Sequence, residues 1–231
     1  MGTLADAMLD MNRLLRLEAQ LPAGYSILNP FHGPDADVVW RINTAFYKRF
    51  YDDDAPRRLI LGINPGRLGA GLTGIPFTDT RRLTEDCHIP CPELHSHEPS
   101  SVFVYCVIRA MGGPEAFYGR FLISSVCPLG LLFDKGNGRP VNANYYDSSA
   151  LTSALLPFIE HSLRSHATMG LRTDVVYCFG TGDNFRALSA INQRIGLFGR
   201  IVPLEHPRYI MQYRAKDADA YVSRFMEALG H

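Results

Sequence analysis

Residues 58–77 read RLILGINPGRLGAGLTGIPF, a short apolar run that stops at a proline-pinned turn. The run over 58–63 has the length, apolar content and glycine boundary of a buried strand. Three further runs share that form, at 121–126, 175–179 and 201–204. Helical patterns lie around and between them. Leu4, Met8, Met11 and Leu15 recur as one apolar helix face, with Pro22 and Gly24 ending that helix. Residues 38–51 read as a second helix, and residues 150–166 as a long one with a kink at Pro157. Phe185, Leu188, Ile191 and Ile195 mark another, and residues 217–229 a last one with Asp217 as its N-cap. Strands alternating with helices imply a parallel sheet covered on both faces. The expected fold is α/β: a single three-layer α/β/α domain over 1–231 with a central, mainly parallel four-stranded sheet. Residues 1–52 would form its N-terminal helical part.

Length and composition agree with one well-cored domain: 231 residues, 46% of them hydrophobic and 20% charged. The 23 basic residues balance 23 acidic ones, so no global positive field marks a DNA-coating protein. A local basic groove is compatible with that balance. No apolar run reaches the roughly 18 residues of a membrane helix, and Asp6 and Asp10 interrupt any signal-peptide core. Five irregularly spaced cysteines do not make a disulfide framework. A reduced, cytoplasmic protein is expected.

In parallel α/β folds ligands bind beyond the carboxyl ends of the strands, so the residues there carry the functional reading. After the first run, Asn64 precedes Pro65, which pushes its backbone out of the helical region. Gly66 then lets another group approach the main chain. The side chain of Asn64 would hold a water, read a heterocycle, or simply satisfy local backbone groups. The segment Gly69-Ala70-Gly71-Leu72-Thr73-Gly74 matches G-x-G-x-x-G, but it starts six residues beyond the strand and runs into Pro76. It is not a dinucleotide fingerprint. The second run ends Ser124-Ser125-Val126-Cys127-Pro128-Leu129, and alternation puts one serine on the ligand side. The fourth leads into His206-Pro207, which repeats the design of Asn64-Pro65. Arg208, Tyr209, Tyr213, Arg214 and Lys216 follow with no acid among them, as a loop suited to a nucleic-acid strand or as a solvated connection.

These motifs, in this order, resemble the single-strand-selective monofunctional uracil-DNA glycosylases. That family reads G-M-N-P-G followed by T-G-V-P-F at the spacing found over 62–77, and it has counterparts of Cys127-Pro128-Leu129 and His206-Pro207. The resemblance implies a uracil-DNA glycosylase-like fold. It also implies a monofunctional hydrolase of base excision repair, cleaving the N-glycosidic bond of uracil or a related damaged base flipped from DNA. Under it, Asn64 positions the attacking water and His206 donates to the base oxygen. Phe77 stacks on the base, with Gly62, Ile63, Gly66 and Ser125 around it. Arg67, Arg208, Tyr209, Arg214 and Lys216 contact DNA, with Arg208 as wedge and Tyr209 as its alternative. The implied partner is lesion-bearing DNA, single- or double-stranded, met by a monomer with no cofactor, metal or membrane.

Two positions depart from the family. Ser125 stands where the family has a base-reading asparagine, so a lone hydroxyl replaces an amide's donor and acceptor. Asn142 and Asn144 are the next candidates for that role. His206-Pro207 also lacks the family's following Ser-Pro-Arg-Asn. A non-catalytic damage binder of the same fold is therefore one alternative. Another is a zinc-bearing interaction module built on Cys87, Cys91, His95 and His97.

Overall fold

The computed structural model describes residues 2–230. In chain order its elements are α1 (Leu4–Arg13), β1 (Tyr25–Leu28), α2 (Ala36–Phe50), β2 (Arg58–Gly62), α3 (Ala70–Thr73) and α4 (Thr80–Glu85). Next come α5 (Pro99–Ala110), α6 (Pro114–Tyr118), β3 (Phe121–Ser125), β4 (Gly130–Phe133), β5 (Val141–Ala143) and α7 (Ser149–Thr168). The chain ends with β6 (Arg172–Phe179), α8 (Asp183–Ile195), β7 (Arg200–Leu204), α9 (Pro207–Tyr213) and α10 (Ala218–Ala228).

All four apolar runs form one sheet of order β3-β2-β6-β7, and every pairing in it is parallel. β2 and β3 are buried almost throughout because helices flank the sheet, which is why they read as unbroken apolar runs. From β2 the chain travels to β3 on one side, and from β6 it travels to β7 on the other. The connections diverge at the carboxyl ends of the neighbouring strands β2 and β6, where an open α/β sheet leaves a crevice. A contiguous cluster of buried apolar side chains fills the space between sheet and helices.

Several local expectations need correction. Helix α1 ends at Arg13, well short of Pro22, and buries Leu4, Ala5, Met8, Leu9 and Asn12. Met11 is only partly buried, and Leu15 reaches the core from beyond the helix. Helix α7 spans Ser149–Thr168 and carries Pro157 inside it. Asp217 is the N-cap residue of α10, as expected, but it makes no side-chain capping bond and also closes a short 3₁₀ turn. The basic stretch after His206 is no loop, since Pro207–Tyr213 is helix α9. A second sheet, antiparallel and ordered β1-β4-β5, was not anticipated, nor were α4, α5 and α6.

Among the buried charges, Arg57 fastens the start of β2. Its side chain is 2% exposed and lies over the ring of Tyr51. Its guanidinium donates to the carbonyls of Tyr118 (3.0 Å), Ala55 (2.7 Å) and Phe50 (3.3 Å). It also pairs with both oxygens of Asp53, holding that carboxyl down at about 2. This carboxylate pairing stabilises the fold above the unfolded-state pKa and is lost as pH falls toward 2. Arg57→Ala should therefore cost about 2–4 kcal/mol, from orphaned carbonyls and lost packing. Urea unfolding at neutral pH measures it, and a loss below about 0.5 kcal/mol would remove Arg57 from the fold's anchors.

Candidate active site

At the carboxyl ends of the strands lies a cleft of about 490 Å³. Asn64, Ser125 and His206 line it, from beyond β2, at the end of β3 and beyond β7, together with Ile63, Gly66 and Phe77. The chain bends at Ile63 and Asn64 directly beyond β2, with Pro65 restricting the backbone of Asn64. The amide of Asn64 does not satisfy local groups. Its Nδ2 donates to the carbonyl of Ala143 at 3.0 Å, and its Oδ1 accepts from the Tyr145 N–H at 3.2 Å. Strand β5 and the turn after it therefore clamp the side chain from across the cleft. One N–H and one oxygen lone pair of the amide remain for a ligand.

Phe77 forms the floor. Its ring packs edge-on against Phe179 at the end of β6, with centroids 5.1 Å apart, and lies 5.9 Å from the ring of His206. Gly62 permits this, since a Cβ there would sit 2.6 Å from the Phe77 ring. His206 caps α9, its Nδ1 accepting the Arg208 N–H at 3.1 Å. The proton of the neutral ring is thereby placed on Nε2. Burial, seconded by the Arg208 charge, pushes the His206 pKa down to about 4, so at neutral pH it is an uncharged donor.

Of the two serines, Ser125 lines the cleft. Ser124 and Ser125 both face a cavity of about 30 Å³ behind it, the size of one water. Arg208 and Tyr209 are exposed at the mouth, and Tyr213 joins them with its ring 5.5 Å from that of Tyr209. The other cations stand apart. Arg67 gives its guanidinium to the Pro140 carbonyl at 2.8 Å, while Arg214 and Lys216 lie past the far end of α9. Asn142 and Asn144 line the cleft, but the Arg67 N–H (3.3 Å) and Asp147 (3.1 Å) already engage them.

The zinc donors are not brought together. Among the described residues no three His, Cys, Asp or Glu side chains gather as a metal-holding group. Cys87 is sealed in the core 3.1 Å from the Tyr105 hydroxyl, and His95 and His97 are exposed. Three polar cleft residues, Glu98, Ser100 and Gln212, escaped the sequence reading. Glu98 lines the mouth beside Arg208, and its signal was present: Glu98-Pro99 repeats the polar-residue-before-proline pattern of Asn64-Pro65 and His206-Pro207.

Residues 49–230 match the family model of the uracil DNA glycosylase superfamily. Among solved structures the chain is similar to the crystal structure of wild-type SMUG2 from Pedobacter heparinus. The identity is 47% and the TM-score 0.94, over 99% of this chain and 97% of that one. No curated protein matches it significantly.

The depressed pKa of His206 carries a sign. The unfolded chain takes up the histidine proton near pH 6.5 and the folded one only near 4. The contribution is therefore complete above the unfolded value and is lost as pH falls through about 4. Long-range ¹H–¹⁵N spectra should show His206 with its proton on Nε2 and no titration between about pH 5.5 and 8. A midpoint near 6.5 would contradict the desolvated, capping ring.

Proposed function

This chain belongs to the uracil-DNA glycosylase superfamily, and we propose that its cleft takes uracil or a related damaged base flipped out of DNA. It is a monofunctional uracil-DNA glycosylase, a hydrolase of base excision repair. The observation that carries the site assignment is the two-sided clamp on Asn64. An amide so held has one donor and one acceptor left, aimed where a water can be kept. That water attacks the sugar C1′ while the C1′–N bond breaks and its electron pair passes to the base. His206, uncharged with Nε2–H free of protein partners, donates to the base oxygen where negative charge grows. A neutral donor suits that task, because it stabilises the anion without having to be discharged first.

Phe77 supplies the stacking face and the main chain at Ile63 and Gly66 lines the pocket around the base, whereas Gly62 lies beneath the Phe77 ring and does not line the cleft. Ser125 offers one hydroxyl to the base edge, so discrimination among deaminated bases is looser than an amide would impose. Arg208 at the mouth is the wedge that holds the stack open, with the exposed Tyr209 beside it. Arg214 and Lys216 grip phosphate farther along the strand, and Arg67 joins them on releasing Pro140. The protein works as a monomeric single domain in the reducing cytoplasm. Its five unpaired cysteines, four of them buried, support that compartment. Among the described residues no helix is long and apolar enough to cross a membrane.

Two measurements test these roles. Asn64→Ala should cut single-turnover cleavage of uracil-containing DNA by about 10²–10³ with little change in DNA affinity. A rate within about threefold of wild type would refute the water-positioning role. Arg208→Ala should depress cleavage in duplex DNA more than in single strands, where no stack needs holding open. Equal losses on both substrates would make Arg208 a phosphate contact instead.

A further inference from the structure

Glu98 stands where a carboxyl group is hard to keep. Its Oε2 is sealed from solvent and has no hydrogen-bond partner. The carboxyl lies flat on Gly69, where a Cβ would fall 2.2 Å from Oε2 and 2.6 Å from Oε1. Gly69 belongs to the turn that follows Asn64-Pro65, its N–H closing on the Gly66 carbonyl at 3.1 Å. The backbone of Glu98 is fixed from two directions. Its N–H donates to Asp79 Oδ2 at 2.9 Å, and Pro99 begins α5 immediately after it. The side chain is therefore held at the cleft, on the Gly66–Gly69 turn just beyond Asn64-Pro65, with Oε2 sealed and unpartnered and Oε1 the oxygen left to meet a water.

The first motif of this chain has no carboxylate of its own between Gly62 and Gly66. Water attack on C1′ needs somewhere for the water proton to go, and an amide cannot take it. We propose that Glu98 is a further catalytic residue of this cleft, the general base that accepts the proton of the water held by Asn64. This rests on the glycosylase reading given above. In the step, the water oxygen bonds to C1′ and its proton passes to the Glu98 carboxylate. The C1′–N bond breaks, and its electron pair leaves with the base, whose oxygen accepts the His206 Nε2–H bond. The departing base anion then takes a proton from solvent, and Glu98 releases its own to restore the carboxylate.

The charged surroundings fit a base working near neutrality. Burial first, and then the Asp79 carboxylate, push the Glu98 carboxyl up to about 7, while the Arg208 cation pulls the other way. Asp79 is itself fully buried, 3.9 Å from Arg82 and 3.7 Å from the exposed His97. Asp79 and Arg208 thus act on Glu98 directly, while Arg82 and His97 stand behind Asp79.

The test is single-turnover cleavage of a uracil-containing single-stranded oligonucleotide between about pH 5.5 and 9, with affinity by fluorescence anisotropy at each pH. The wild-type rate should climb about tenfold per pH unit on the acid side and level off near pH 7. Glu98→Gln should lower the plateau by about 10²-fold and flatten the profile while leaving affinity unchanged or slightly tighter. A Glu98→Gln rate within about threefold of wild type, with its pH limb intact, would overturn the proposal. So would a wild-type rate that falls above pH 7, since the carboxyl would then act protonated. Should Glu98→Gln fail to fold, the wild-type profile decides: a limb near pH 7 supports the base, and a flat or falling one refutes it. Absence of wild-type cleavage at every pH would instead bring down the uracil-cleaving reading itself, and the general base with it.

Discussion

The ring of Phe77 can lie across the end of β2 only because residue 62 has no Cβ. That one contact sets the depth of the cleft and the course of the chain around it. To reach it, Phe77 takes a φ of 53°, an unfavourable region for a bulky side chain and worth about 1–3 kcal/mol of strain. The strain persists because the turn is bound on all sides. Thr73 Oγ1 donates to the Thr78 carbonyl at 2.8 Å, and Asn43 Nδ2 holds the Thr73 carbonyl at 2.7 Å. The Thr78 hydroxyl meets that of Tyr105 at 3.0 Å, and Tyr105 meets Tyr118 at 3.0 Å. These buried hydroxyls tie the floor of the cleft to α5 and α6. Through the ring of Phe77 the same turn reaches the end of β6 and the ring of His206.

Three polar residues project into the cleft from positions followed by proline: Asn64, Glu98 and His206. The repetition has a mechanical reason. A proline restricts the backbone of the residue before it, so the side chain leaves from a fixed origin. At Glu98 and His206 the proline also opens a helix, where its missing N–H costs nothing. Each side chain or its main chain is then tied to another element, Asn64 to β5 and the turn beyond, Glu98 to the cap of α4, His206 to the start of α9. Groups held this way need little reorganisation when charge develops, which is where a hydrolase gains most.

The sheet was legible because its strands are short, buried on both faces and punctuated by glycine and proline. The order of the motifs was legible for the same reason: each sits directly beyond a strand. What escaped depends on partners distant in the chain or on few residues. Strands β1, β4 and β5 are three or four residues long, and Tyr25 finds its partner in Phe133. Helix α9 buries only Pro207 and Ile210, too little for a periodic signal, so its residues read as a loop. Glu98 was passed over because it follows no strand, although it carries the same proline signature as Asn64. Composition listed the arginines but not their directions, and Arg67 turns its guanidinium to Pro140 rather than to the cleft.

A chain with no formal net charge must arrange its grip on DNA locally, and Arg208 is where the proposed arrangement converges. Its charge disfavours the protonated form of His206 and favours the carboxylate of Glu98, so one cation tunes both groups toward the states the proposed reaction uses. In the proposed reading that cation has a second task, entering the duplex in place of the extruded base. The tasks compete. An arginine drawn into the stack leaves the mouth of the cleft, and the phosphates arriving there bring negative charge toward Glu98. Both changes raise the carboxyl's pKa and lower the fraction of base available at neutral pH. In the same reading a single strand has no stack to prop open, so Arg208 would remain at the mouth and keep favouring the carboxylate form of Glu98. On the proposed reading, a preference for single-stranded substrates would follow from coupling the wedge to the base, without any contact that reads strandedness directly.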